Sequence, residues 1–244
     1  MPTPTMDFEV YLNTNAPAPE REAALGELFA NEDAAGIEYA VVMPSPTTKP
    51  DNRALYDTAH KQRRAILCCQ VNPNDGDTAL QEIEQSVRNW GVKVLKIMPA
   101  IYQVHMLGPV AQRLMATARN LGIVVNIHSG SEISHPLQIG ALCRRFPDVT
   151  VLMDHMGYRE WVGDAIEAAR DNPNLYLGTT IAAFEPSTLA RAVAELGPER
   201  VVYGSNWPNV YSDLAVEAIK RYKLGQEVES LILGGNLARI LGMD

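Results

Sequence analysis

The chain has 244 residues, 46% of them hydrophobic, and carries a formal net charge of −8 at pH 7. That length suits one large domain with a sizeable core, and the acidic balance disfavours non-specific nucleic-acid binding. The apolar runs stop at about strand length, too short to span a membrane, and the opening MPTPTMDFE has neither the basic nor the apolar stretch of a secretory leader. Cys68, Cys69 and Cys143 lack metal-ligand spacing and read as reduced thiols, so a cytoplasmic location is expected.

Two periodicities then alternate along the chain. The strand-like run DFEVYL (7–12) precedes the amphipathic stretch REAALGELFANEDAAG (21–36), and IEYAVVM (37–43) precedes NRALYDTAHKQRR (52–64). AILCCQV (65–71) is followed by DTALQEIEQSVRNW (77–90), and VKVLKIM (92–98) by GPVAQRLMATARNLG (108–122). IVVNIH (123–128) leads into HPLQIGALCRRF (135–146), and VTVLMD (149–154) into YREWVGDAIEAARD (158–171). LYLGT (175–179) leads into EPSTLARAVAELG (185–197), RVVYGS (200–205) into SDLAVEAIKRYKLG (212–225), and GGNLARILGMD (234–244) reads as a last short helix. Strict alternation calls for a parallel sheet covered by helices. Eight such units in this length predict an α/β fold, a closed (β/α)8 TIM barrel forming a single domain over 1–244. Gly122, Gly197 and Gly225 follow the last apolar residue of a stretch, where a helix C-terminus takes glycine.

Nucleotide and serine-nucleophile signatures are absent: no G-x-G-x-x-G follows the first strand, there is no Walker lysine loop, and Gly204-Ser205-Asn206 is not a G-x-S-x-G elbow. The informative residues stand at strand ends. GIVVNIHSG closes on His128, VTVLMDHMG on His155 and RVVYGSNWP on Asn206. In a TIM barrel, the C-terminal ends of the strands carry the active site. One strand-end histidine is more often structural; two at matching rim positions favour a site.

These segments resemble the amidohydrolase superfamily, in particular its amidohydrolase-related (amidohydrolase 2) group. NIHSG resembles the strand-5 histidine motif, MDHMG the strand-6 histidine motif, and LGPERVVYGSNWP a strand-8 segment that normally reads GSDWP. GVKVLKIMP is similar to the strand-4 segment and GGNLARILGM to the closing helix. The resemblance implies a TIM barrel and a divalent-metal hydrolase or decarboxylase. The departures fall on the metal ligands. Where the family has His-x-His on its first strand, MDFEVYLN places Glu9 and Tyr11, and the strand-8 aspartate is Asn206. Tyrosine is a poor ligand near neutrality, and neutral asparagine binds zinc weakly and cannot act as a base. A catalytic zinc wants about three protein ligands. No tightly bound metal is therefore expected; if Zn or Mn binds, Glu9, His128 and His155 are the expected ligands.

The remaining groups still suit acid–base chemistry. His128 and His155 titrate near neutrality in their unperturbed state, and Glu9 can orient an imidazole or accept a proton. Tyr11 and Asn206 can donate hydrogen bonds to a developing oxyanion. Period two puts Lys96 on one face with Val94 and Met98; pointing inward, it could bind a substrate carboxylate or polarise a carbonyl. His105, in the loop after strand 4, and Trp207, beside Asn206, are further candidates for substrate contact, against a solvated loop histidine and a rim-packing indole. The competing reading of Glu9 is a salt bridge at the rim. The expected function is a hydrolase acting on a small lactone, amide or carboxylated ring, with His128, His155, Glu9 and Asn206 catalytic. The resemblance includes a metal-independent lactonase acting on a pyrone dicarboxylate. The first alternative is a metal-dependent decarboxylase or hydrolase; the second is an inactive ligand-binding or scaffold relative. A small-molecule substrate is expected, with no nucleic-acid or membrane partner, and a homo-oligomer is compatible.

Overall fold

All eight apolar runs become strands, paired in parallel and in sequence order. The computed structural model describes residues 3–185 and 187–243. Met1 and Pro2 of the opening stretch, Pro186 of EPSTLARAVAELG and Asp244 of the tail lie outside the described residues. The strands are β1 (Met6–Leu12), β2 (Tyr39–Pro44), β3 (Ala65–Gln70) and β4 (Val94–Ile97), then β5 (Val124–Ile127), β6 (Val151–Met153), β7 (Leu175–Gly178) and β8 (Val201–Val202). Between and after them run α1 (Ala18–Ala35), α2 (Asn52–Ala59), α3 (Asp77–Trp90), α4 (Pro99–Tyr102), α5 (Pro109–Leu121) and α6 (Pro136–Arg145). The rest are α7 (Val162–Asp171), α8 (Thr188–Leu196), α9 (Ser212–Lys220), α10 (Gln226–Ser230) and α11 (Asn236–Leu241). The chain past β8 closes the barrel. The Phe8 N–H donates to the Tyr203 carbonyl at 3.0 Å and the Tyr11 N–H to that of Trp207 at 2.9 Å, with a parallel bridge at Val10 and Trp207.

Alternation along the strands sorts side chains into two apolar layers. Met6, Phe8, Val41, Cys68, Val94, Val124, Leu152 and Val202 form an inner cluster. Val42, Leu95, Ile97, Val125, Val151 and Leu177 join the helices in an outer one. Phe8 fills the interior beside Gly178 and Gly204, where a Cβ would come within 2.3 Å and 2.5 Å of its ring.

Three local expectations change. Met98 does not share a face with Lys96: β4 ends at Ile97, and Met98 packs in the outer cluster. The stretch 158–171 is helical only from Val162, because left-handed φ at His155, Met156 and Tyr158 turns the chain back first. Gly122 ends α5 in the left-handed conformation as read, whereas Gly225 opens α10, since α9 already ends at Lys220.

Phe8→Ala empties a fully buried position, which costs about 3–5 kcal/mol in transfer and cavity terms. Urea unfolding is expected to show a loss of that size with an unchanged m-value; a loss well under 1 kcal/mol would mean the interior closes over the gap.

Candidate active site

The centre of the site is Lys96, 1% exposed. Its Nζ donates to Glu9 Oε1 at 3.1 Å, to Asn126 Oδ1 at 3.2 Å and to Asp154 Oδ2. An ammonium has three N–H groups, and here each has an acceptor from a different strand or strand end. Glu9 reaches inward because the β1–β2 register shifts between Asp7 and Val10, and such an irregularity re-aims side chains. The Asp7 carboxylate braces the shift by accepting from the backbone N–H of Glu9 at 2.8 Å and of Ser205 at 3.0 Å. The Tyr11 hydroxyl donates to Glu9 Oε1, leaving Glu9 Oε2 buried without a partner among the described residues.

Asp154 carries the network to the histidines. Its Oδ1 accepts the Ser129 N–H at 2.8 Å, and its Oδ2 lies 3.8 Å from His155 Nε2. The Thr180 hydroxyl holds the His155 ring by meeting both its backbone N–H, at 2.8 Å, and its Nδ1, at 2.9 Å. The His128 ring meets that of His155 edge-on at 4.8 Å, and the Tyr158 ring stacks on His155 at 4.4 Å with its hydroxyl 3.4 Å from His128 Nε2. Tyr158 reaches that place over Gly130, where a Cβ would lie 1.7 Å from the tyrosine ring. His155 is 3% exposed, whereas His128 and Tyr158 are half-buried and reach the surface.

His155, Met156, Tyr158, Thr180 and Asn206, all non-glycine, have φ of 57°, 49°, 53°, 25° and 68°. Such conformations cost of order 1–3 kcal/mol each and persist only where the surroundings over-determine them. For Thr180, β-branched, the departure is the most severe. Of these, His155, Met156, Tyr158 and Thr180 lie on or next to the imidazole pair.

Burial dominates the titration behaviour, and neighbouring charges then set each direction. Burial and the Asp154 charge raise Glu9 against the pull of Lys96 and His155. Burial also pushes Asp154 up, but Lys96 and both imidazoles outweigh it and hold the carboxyl below its ordinary range. Lys96 loses by burial yet ends raised, because Asp154 and Glu9 favour its charged form. Burial drops His128 to about 4, with the His155 and Lys96 charges adding to it against Asp154. Burial, then the Asp154 and Glu9 charges, lift Tyr158 to about 12.

The structure thus joins Glu9, Tyr11, Lys96, His155 and His128 into one contact chain. Asn206 meets it through the backbone, its N–H donating to the Glu9 carbonyl at 3.0 Å, while its side-chain oxygen faces Asn209 at 3.4 Å. Tyr11 donates to Glu9, and Lys96 to Glu9 and Asp154, and both side chains are buried. Trp207 packs in the outer apolar cluster, and His105 is exposed with none of these groups on its side chain. Sequence reasoning passed over Asp154, Asn126, Thr180 and Tyr158. Asp154 and Asn126 had a signal, as polar residues in apolar strand-end runs; Thr180 and Tyr158 had none.

Glu9, Asp154 and His155 each offer a donor atom within 4.8 Å of the others, and two carboxylates with an imidazole suit Mn or Zn. Asp154 stands where His128 was expected in such a set. The partnerless Glu9 Oε2 is consistent with a further cation, but the carboxylates already bind the Lys96 ammonium, and both Asp154 oxygens have donors. The Lys96 ammonium is held by two members of the trio, Glu9 and Asp154, together with Asn126, so an ion on those carboxylates would lie beside its charge.

Comparison with known proteins fixes the family. The family model described as Amidohydrolase matches residues 13–243. The chain belongs to the amidohydrolase family. The match begins one residue past β1, so Glu9 and Tyr11 lie outside it. No curated protein matches the chain. Among solved structures, this amidohydrolase is similar to an uncharacterised TIM-barrel protein, Bb4693 from Bordetella bronchiseptica, at 20% identity over 98% of each chain with a TM-score of 0.82. It is similar to 5-carboxyvanillate decarboxylase LigW from Sphingomonas paucimobilis at 16% identity over 99% of this chain and 100% of that one, TM-score 0.77. It is also similar to a dihydroxybenzoic acid decarboxylase from Polaromonas sp. JS666, which holds manganese and the inhibitor 2-nitroresorcinol, at 15% identity over 99% and 97%, TM-score 0.75. These likenesses establish the barrel. Among the described residues, no helix is long and apolar enough to cross a membrane.

The His128 shift has a sign that can be measured. Its folded value, about 4, lies below its ordinary 6.5, so its stabilising contribution is full above pH 6.5 and is lost as pH falls toward 4. Urea midpoints measured across that window are expected to fall more steeply for the native protein than for His128→Gln. Equal slopes would show that the imidazole charges freely in the folded state.

Proposed function

We propose that this amidohydrolase is a lyase that removes the carboxyl group of a small hydroxylated aromatic acid, with His128 as the proton carrier. The observation that carries this reading is His128 itself: a half-buried imidazole at the strand ends, held neutral near pH 7 and set over a fixed ionic cluster. A neutral imidazole can take the proton of a phenol ortho to the carboxylate and return it to the ring carbon that bears the carboxylate. The carbon–carbon bond then breaks, CO2 leaves, and the electron pair restores the aromatic ring as a phenolate that regains a proton from solvent. The Tyr158 hydroxyl beside His128 Nε2 remains protonated and can donate to the substrate oxygen. Asp154 and Thr180 serve this step by fixing the second imidazole against the first.

Support for the lyase over the hydrolase expected first comes from the neighbours, since two of those described are decarboxylases by name. A divalent metal, if bound, would be held by Glu9, Asp154 and His155; the proton transfers above use groups of this chain alone. The full burial of Glu9 and Asp154 favours one other reading, an inactive relative that binds a ligand at the rim.

A panel of hydroxybenzoates and lactones, followed by chromatography and CO2 release, tests the proposal. Decarboxylation of an ortho-hydroxylated acid is expected, and His128→Gln should lower kcat/KM by about 10²- to 10⁴-fold, the usual contribution of acid–base catalysis. Turnover of lactones alone would return the hydrolase reading, and folded protein inert toward the whole panel would favour the inactive relative.

A further inference from the structure

The carboxylates that could hold a metal in this barrel are already occupied by a cation of the chain's own. Lys96 Nζ lies 3.1 Å from Glu9 Oε1 and 3.2 Å from Asn126 Oδ1, and donates to Asp154 Oδ2, with no part of this arrangement more than 1% exposed at the lysine. Three N–H donors meet three oxygens, two of them carboxylate, so the amine is bound as a fully satisfied ammonium. The possible metal trio of Glu9, Asp154 and His155 includes both of those carboxylates. A divalent ion on them would face the ammonium at contact range in a buried setting, where like charges repel most strongly.

We propose that Lys96 is the resident cation of this site, standing in the place of a divalent metal and excluding it. Resting on the lyase reading only in that it concerns the same site, this assignment makes Lys96 a positioning residue. Its ammonium holds the Glu9 and Asp154 carboxyl groups in place beside His155, and its three protons are spent on protein oxygens. The site then has cation chemistry without a dissociable ion. Removing the amine while keeping the stem's bulk should leave two carboxylates and an imidazole around a space stripped of its positive charge, the donor set that manganese takes.

The test reads metal uptake, not turnover, so its outcome is independent of whether the lyase reading stands. Native protein, Lys96→Met and Lys96→Gln are stripped with chelator, checked for folding by circular dichroism, and titrated with MnCl2 by electron paramagnetic resonance and by thermal unfolding. The native protein is expected to take up no stoichiometric Mn2+ and to show no rise in Tm. At least one folded variant should bind one equivalent about 100-fold or more tighter, as relief of a close buried repulsion requires, with a rise in Tm. That gain should vanish when Glu9→Gln is added, which locates the ion in the cluster. A native protein that binds one equivalent, with the uptake lost in Glu9→Gln, would overturn the proposal. Folded Lys96 variants that remain blind to Mn2+ would overturn it as well. Should neither variant fold, the native titration alone still decides: stoichiometric uptake sensitive to Glu9→Gln sinks the proposal, and its absence upholds it.

Discussion

The ammonium of Lys96 ties together four strands whose inward groups would otherwise repel or go unpaired. Glu9 comes from β1, Lys96 from β4, Asn126 from β5, and Asp154 from the end of β6. Two carboxylates in a dry interior are tolerable only with a positive charge between them. Buried ion networks of this kind add little net stability over an apolar core, yet removing one member leaves an unpaired buried charge at a cost of about 3–5 kcal/mol. The network therefore acts as a registration device. It fixes the strand ends against one another and sets one carboxyl high and the other low.

The histidines inherit their geometry from that centre. Asp154 lies directly before His155 in the chain; its carboxylate is fixed between Lys96 and the Ser129 N–H, and the left-handed turn at His155 and Met156 follows. Thr180 and Tyr158 then clamp the His155 ring from two sides. Tyr158 can lie there only because residue 130 lacks a Cβ. The outcome is a pair of imidazoles with different access, His155 sealed and His128 half-buried. That division of roles, one ring as wall and one as working group, underlies the functional reading.

Much of this was legible in the sequence, and the limits have physical causes. The βα alternation reads directly because each run carries its own period, and period two on VKVLKIM allowed an inward Lys96. Strand ends named Glu9, Tyr11, His128 and His155, since polar residues closing apolar runs have few other places to go. The same logic extends to Asp154 and Asn126, which were read as parts of strands although their charge and amide require partners. Tyr158 could not be read, because YREWVGDAIEAARD has helical spacing throughout and the turn that delays the helix is imposed by contacts distant in sequence. Trp207 packs in the outer apolar cluster and His105 stands exposed, placements the sequence left open because which way a loop or rim residue points is decided by packing. The expectation of no tightly bound metal rested on the missing first-strand histidines and strand-8 aspartate; it overlooked Asp154, which with Glu9 and His155 forms a cluster that fits the metal-binding alternative better.

Crystals of the native protein grown in MnCl2, with anomalous data collected at the manganese edge, test the central claim most directly. The account predicts no anomalous peak among Glu9, Asp154 and His155, and continuous density from Lys96 Nζ to both carboxylates. A strong peak within bonding distance of those three residues, with the lysine side chain swung away, would contradict it.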